Sequence, residues 1–249
     1  MISTGNIALD AFSDPALCQL TAQENLGFEE LRSTPTIIYL IVPEHQIRYY
    51  GFFLKIFYSQ LFDFCMEMEN PGQPYLPIYF LLDEFGNMPI QDFASKITTL
   101  RKRKVSCSIV LQDIEMLTSA YGKSDASVIL NGGCSSRIFY PGLSYDMCFE
   151  IEKILGKTTV IYKDPTKSQP LDLFDNANSR EVPRSLLTAD EIRTMQDYEA
   201  IYLYSNRDPV MLRTTAFYEN SAMIAKSQIP MPDLYFPELA PVEYINLGD

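Results

Sequence analysis

The sequence predicts an α/β fold, a mostly parallel twisted sheet flanked by helices, with a hairpin and an extended tail at the carboxyl end. Three features carry that expectation. Residues 76–82 (LPIYFLL) form a continuous apolar run of strand length, the pattern of a strand buried on both faces, and 105–111 (VSCSIVL) form a second buried-type run. Between them Ile90, Phe93, Ala94, Ile97 and Leu100 recur at helical spacing. The three segments make one β-α-β unit, whose right-handed crossover sets the two strand ends side by side on one rim. Upstream, the β-branched run 36–42 enters behind Pro35, stops at Pro43 and reads as a further buried strand.

Taken in order, residues 1–34 are a lead-in of little periodicity, in which Ser13, Asp14 and Pro15 open a short helix and 28–32 make a helical turn. From 44 to 68 the apolar positions Ile47, Tyr50, Leu54, Phe57, Leu61 and Phe64 mark a long amphipathic helix. Its other aromatics, Tyr49, Phe52, Phe53 and Tyr58, read as core packing rather than a stacking platform. Residues 70–74 (NPGQP) are the loop into the apolar run. After Gln112, residues 114–120 read as a short helix closed by Tyr121 and Gly122, then 131–133 as a tight turn and 136–140 as a strand. Ser144 is placed to cap a helix that ends before Gly156, and 158–162 is a β-branched strand. Residues 163–183 read as a polar loop, and Arg180 and Arg184 as surface charges, with inter-subunit contacts as the alternative. Thr188 and Glu191 have capping-box spacing. Residues 200–214 read as an antiparallel hairpin and 218–249 as the tail.

Composition narrows the function. With 47% hydrophobic and 21% charged residues, wholesale disorder is excluded. A net charge of -12 excludes a general nucleic-acid grip, which needs a basic footprint. Any such contact falls on the one dense basic run, Arg101, Lys102, Arg103 and Lys104. The five cysteines are widely spaced without a CxxC pair, against both a disulfide framework and zinc, and fit a reducing cytoplasm. His45 stands alone and reads as a surface or helix-start residue. No secretory signal is visible, no stretch approaches the roughly 20 apolar residues of a membrane span, and the chain reads as soluble.

The chemistry gathers where the apolar run ends in Asp83 and Glu84. Carboxylates at the carboxyl end of a buried strand sit where open α/β sheets bind ligands. That is the arrangement of a Walker B segment, in which the first acid holds Mg²⁺ through its water shell and the second polarises an attacking water. A strand end with a solvated Asp-Glu pair is the plainer alternative.

The blocks Leu81-Leu82-Asp83-Glu84-Phe85-Gly86-Asn87, Arg101-Lys102, Gln112, Tyr121-Gly122 and Ile129-Leu130-Asn131 occur in that order. They stand behind Pro35 to Glu44 and Arg48-Tyr49-Tyr50. Together they resemble the conjugative coupling proteins of the VirD4/TraG/TraD type, the type IV secretion ATPases, over residues 25–217. The resemblance implies the distal part of a RecA-like P-loop NTPase core over 35–217, with ATP and Mg²⁺ as cofactors. Asp83 becomes the Mg²⁺-associated acid, Glu84 the water-orienting base and Gln112 the γ-phosphate sensor. Arg101, with Arg103 second, becomes an arginine finger reaching the next subunit's nucleotide. A solvated helix end and a DNA contact are the alternatives for that cluster. Implied partners are a relaxosome with its relaxase, effector proteins, secretion-channel proteins and DNA. Full-length relatives are implied to be hexamers at the cytoplasmic face of the bacterial inner membrane.

The departure is as informative. No GxxxxGK[ST] phosphate loop occurs, and Gly122-Lys123-Ser124 does not supply one, because the earlier glycine of that motif is Leu117 here. In the family that loop lies upstream, before an inserted helical domain, and the chain begins near the return from that insertion. Alone it is expected to have little or no ATPase activity and to be a monomer or weak oligomer. Two readings of other classes stand beside the motor. One is a non-catalytic module that docks substrates or partners. The other is a metal-dependent hydrolase using Asp83 and Glu84 with Asp113, Glu115 or Asp125.

Overall fold

The computed structural model describes residues 12, 14–22, 26–67, 75–87, 89–163 and 179–230. They divide after Cys134 into two compact units, a boundary inside the 35–217 stretch.

The first unit opens with α1 (Pro15–Thr21), whose Asp14 carboxylate accepts hydrogen bonds from Ala16 N at 2.8 Å and Leu17 N at 3.2 Å. After 3₁₀ turns at Phe28–Arg32 and Glu44–Gln46 comes α2 (Ile47–Glu67), which buries Leu54, Leu61, Phe62 and Cys65 along one stripe. Strand β1 (Ile78–Leu82), α3 (Phe93–Leu100) and β2 (Val105–Ile109) form the expected β-α-β unit, with β1 and β2 paired in parallel from Ile78↔Val105 to Leu82↔Ile109. Both helices pack onto one core. Phe62 of α2 stacks on Phe80 of β1 at 4.4 Å and meets Phe93 of α3 edge-on at 5.5 Å. Lys96 of α3, itself buried, pairs with Asp63 of α2 at 2.7 Å. On the other face of β1, Tyr79 and Leu81 are 71% and 82% exposed. Parallel pairs are ordinarily covered on both faces, so this sheet has one open side.

Two expectations for this unit are corrected. The run 36–42 is not a strand: among the described residues nothing pairs with it, and Ile41 is 84% exposed. β-branched composition reports fitness for a pleated, half-buried surface, and no neighbour supplies that surface here. The helix after Gln112 does not stop at Gly122. As α4 it runs Ile114–Ser127 through a kink at Gly122 (φ +78°), and a π-helical turn over Val128–Gly133 replaces the tight turn. Burying Ala126 and Ile129 holds the second half of α4 and this turn on the core. Close contact also explains Gly133, where a Cβ would lie 2.7 Å from Ile97 Cγ2. Gly133→Ala is therefore expected to destabilise the chain by about 1–3 kcal/mol, read from the midpoint of urea unfolding.

The second unit, Ser135–Gln228, is built on antiparallel ladders. Its elements are β3 (Ser136–Phe139), α5 (Tyr145–Leu155), β4 (Lys157–Lys163), β5 (Ser179–Ser185), α6 (Ala189–Arg193), β6 (Glu199–Tyr204), β7 (Val210–Arg213) and α7 (Ser221–Ser227). The expected hairpin is β6–β7, and β3 joins it antiparallel. Residues 179–185, read as part of a loop, form a strand against β4; 164–178 lie outside the described residues. The expected tail is helical over Ser221–Ser227, capped by Asn220, and 231–249 lie outside the described residues. The capping signals held. Ser144 Oγ accepts from Met147 N, Gly156 ends α5 at φ +76°, and Thr188 and Glu191 form a reciprocal capping box.

Glu152 of α5 ties this unit together. Its carboxylate accepts from Ser185 Oγ at 2.7 Å and Ala189 N at 2.8 Å, joining α5 to the end of β5 and the start of α6. Chiefly through the Ser185 hydroxyl, and then the Ala189 amide, its pKa is held below the ordinary 4.5. A lowered folded-state value means the ionised form stabilises the fold above the unfolded value, and that contribution is lost as pH falls below it. Melting temperature should therefore drop more steeply below pH 4.5 in the wild-type chain than in Glu152→Gln.

Candidate active site at the carboxyl end of β1

The first unit carries the site. Leu82 ends β1 with its carbonyl accepting from Val110 N at 2.9 Å, and Phe85 N then donates to Val110 O at 3.3 Å, so the two strand ends stay joined beyond the ladder. Between those bonds lie Asp83 and Glu84. Consecutive strand residues point to opposite faces, yet Asp83 and Glu84 both line one cavity of about 310 Å³, with Leu40, Val42 and Tyr58. Glu84 achieves this by leaving the strand conformation, with φ +48°. Asp83 Oδ1 accepts from Glu84 N at 3.0 Å, and Asn87 Nδ2 donates to Glu84 Oε2 at 3.1 Å.

The turn is pinned from below. Phe85 is buried against Phe93 at 4.7 Å and stacks on Tyr121 at 5.4 Å. The Tyr121 hydroxyl accepts from Ile90 N at 2.7 Å, and burial pushes its phenol well above the ordinary 10.0. Gly86 admits no side chain, because a Cβ there would lie 2.7 Å from Met116 Cβ. The sequence gives Gly86 the role of ending the element and Asn87 none; the signal available for Asn87 was its i, i+3 spacing from Glu84 across that glycine.

The other candidates fall in three places. Gln112 lies just past β2, exposed, on the same rim as Asp83 and Glu84. Arg101 lies in a 3₁₀ turn, Arg101–Arg103, that leads into the amino end of β2. At about 3.3 Å per residue, the five-residue strand β2 separates it from the carboxylate rim. Arg101 therefore does not join its own chain's Asp83 and Glu84. Lys104 is partly structural: at φ +53° its Nζ sits 4.6 Å over the Tyr75 ring, which also receives the buried Arg32 guanidinium at 5.0 Å. Among the hydrolase candidates, Asp113 caps α4 by accepting from Glu115 N at 2.9 Å. Among the described residues no group of three or more metal-ligating side chains is assembled.

That donor set suits one kind of cation. Among the described residues Asp83 Oδ2 has no partner, and a single exposed carboxylate is too little for a dedicated cage. It fits Mg²⁺, which keeps most of its waters and takes one or two carboxylates together with substrate phosphates.

A sequence profile described as Type IV secretory system Conjugative DNA transfer matches residues 1–233. The chain belongs to that family. Among conjugative DNA transfer proteins it is 23% identical over 240 residues to protein VirD4 of Rhizobium radiobacter, covering 96% of this chain and 34% of that one. Against VirD4 of Rhizobium rhizogenes the identity is 21% over 218 residues, covering 87% and 32%. The chain thus spans about a third of the length of these curated relatives. Among solved structures, the bacterial conjugative coupling protein TrwBdeltaN70, in an unbound monoclinic form, superposes with a TM-score of 0.56 at 17% identity, over 69% of this chain and 39% of that one. The plasmid coupling protein TrwB with ADP and Mg²⁺ gives 0.54 at 16%, over 69% and 38%. At that identity the likeness shows the fold, and the α/β reading stands. Among the described residues of this family member, no helix is long and apolar enough to cross a membrane.

Proposed function

We propose that this chain is the carboxylate-bearing part of a conjugative coupling ATPase, which recruits DNA–protein substrates and passes them to a secretion channel at the cytoplasmic face of the inner membrane. The observation that carries the reading is the turn that brings Asp83 and Glu84 into one cavity on the rim shared with Gln112. TrwB structures hold ADP with Mg²⁺ and a non-hydrolysable ATP analogue, which supports nucleotide chemistry for the group.

In this reading Asp83 would hold a hydrated Mg²⁺, which would supply neutralisation of phosphate charge. Glu84 orients the attacking water and takes its proton as the water oxygen bonds to the γ-phosphorus. The bond from phosphorus to the bridging oxygen breaks, and ADP leaves with that electron pair. Gln112 contacts the γ-phosphate from the neighbouring strand end. Arg101 lies on the far rim, so it acts only on the nucleotide of an adjacent subunit, as in a hexamer. With Lys102 it also makes an exposed basic patch that suits a DNA phosphate.

A second reading has one observation in its favour: the chain has no GxxxxGK[ST], so most of the groups that hold a nucleotide are not in it. It is then a docking module for relaxosome or channel proteins. The two part on a single comparison, in which the 249-residue chain and the protein extended upstream in its natural reading frame are assayed for Mg²⁺-ADP binding and ATP hydrolysis. The motor reading expects both activities in the extended protein and neither in the 249-residue chain. An extended protein that binds no nucleotide would leave the docking module standing.

A further inference from the structure

We propose that Asn87 is the residue that positions the Glu84 carboxylate, an inference that rests on Glu84 being the water-orienting base. At φ +48° Glu84 occupies a left-handed backbone region that residues with a long side chain rarely visit. In that conformation Glu84 lines one cavity together with Asp83, but the backbone alone does not fix the carboxyl's direction. Glu84 is exposed, and its side chain has three rotatable bonds on an open turn.

Asn87 removes that freedom in two steps. Its backbone N donates to Glu84 O at 2.9 Å, which sets its distance from Glu84 through a single 3₁₀ turn. Its side-chain Nδ2 then donates to Glu84 Oε2 at 3.1 Å. One carboxylate oxygen is engaged, and Oε1 is left to accept from a water. An amide suits the task, since it donates to a carboxylate without competing for a proton. The partner is selective: Asn87 also lines a neighbouring cavity with Glu115, yet its amide bonds to Glu84. The turn is placed by buried Phe85 and by Gly86, where a Cβ would lie 2.7 Å from Met116 Cβ, so Asn87 has a packed base to act from.

Two measurements test this. In the protein extended upstream, Asn87→Ala and the isosteric Asn87→Asp are each expected to lower kcat about tenfold, with KM for ATP unchanged within about twofold. Mg²⁺-ADP affinity should hold, and in a Glu84→Ala background neither substitution should add a further loss. Independently of turnover, the side-chain amide resonances of Asn87 in the 249-residue chain should move in Glu84→Ala and stay in Glu115→Ala. The inference is overturned if the Asn87 variants keep full kcat, if they lower it equally without Glu84, or if the resonances ignore Glu84→Ala. Should Glu84→Ala itself keep full turnover, the base assignment falls and the inference with it. An inactive Glu84→Ala beside fully active Asn87 variants would overturn the inference alone.

Discussion

On the proposed reading, Glu84→Gln made in the protein extended upstream is expected to lower ATP turnover by about 10²–10⁴-fold, the range that loss of a positioned general base produces. The substitution is nearly isosteric. Its amide oxygen still accepts from Asn87, and the buried Phe85 that sets the turn is untouched. What disappears is the capacity to take a proton from the water as its oxygen bonds to phosphorus. Mg²⁺ affinity should therefore change little, because in that reading the ion rests on Asp83. Phosphate release under saturating ATP, with a fluorescent ADP titration beside it, separates the two quantities. Asp83→Asn should behave differently, raising the Mg²⁺ concentration needed for half-maximal turnover. If Glu84→Gln keeps wild-type turnover, the carboxylate is a strand-end charge and nothing more.

The contrast between what the sequence disclosed and what it hid follows the range of each interaction. The β-α-β unit was legible because each part signals locally: an apolar run for β1, helical spacing for α3, and a polar rim residue at each strand end. The caps at Asp14, Ser144, Gly156 and Thr188 were legible for the same reason, being contacts within a few residues. Strand 36–42 failed in the opposite direction. Its composition is that of a strand, but a strand exists only through a partner, and none pairs with it among the described residues. Strand β5 (SREVPRS) is the converse, a charged segment with Pro183 opposite Thr159 that extends because β4 is there to pair with. Proline is tolerated on such an edge, where its missing donor faces no neighbour.

The same distinction runs through the site. That Asp83, Glu84 and Gln112 share a rim follows from strand order and parallel pairing alone. That Glu84 takes a left-handed φ does not, because the turn is set by the packing of Phe85 and Gly86 against α3 and α4. The placement of Arg101 was implicit in the connectivity, since a residue entering the amino end of a parallel strand lies on the far rim. The role proposed for it across a subunit boundary depends on that geometry, whereas Lys104 is drawn to Tyr75 and Asp113 to the start of α4.

Phe62→Ala should have the largest effect on stability, about 3–5 kcal/mol. Phe62 is completely buried at the point where α2, β1 and α3 converge, with its ring 4.4 Å from Phe80, 5.5 Å from Phe93 and 6.4 Å from Tyr58. Truncation removes the transfer free energy of the ring and the aromatic pair contacts, and leaves a void that these rings are too constrained to fill. Leu81→Ala makes the matched control. It lies on β1 beside Phe80, yet 82% of Leu81 is exposed on the open face, so its loss should cost no more than about 0.5 kcal/mol. Urea unfolding of the chain followed by far-UV circular dichroism gives both values from one series. A small effect at Phe62 would mean that α2 does not close the core as described. A large effect at Leu81 would mean that the open face of β1 is covered in solution. The first outcome undermines the platform on which Asp83 and Glu84 stand, and the second removes the open side from the fold.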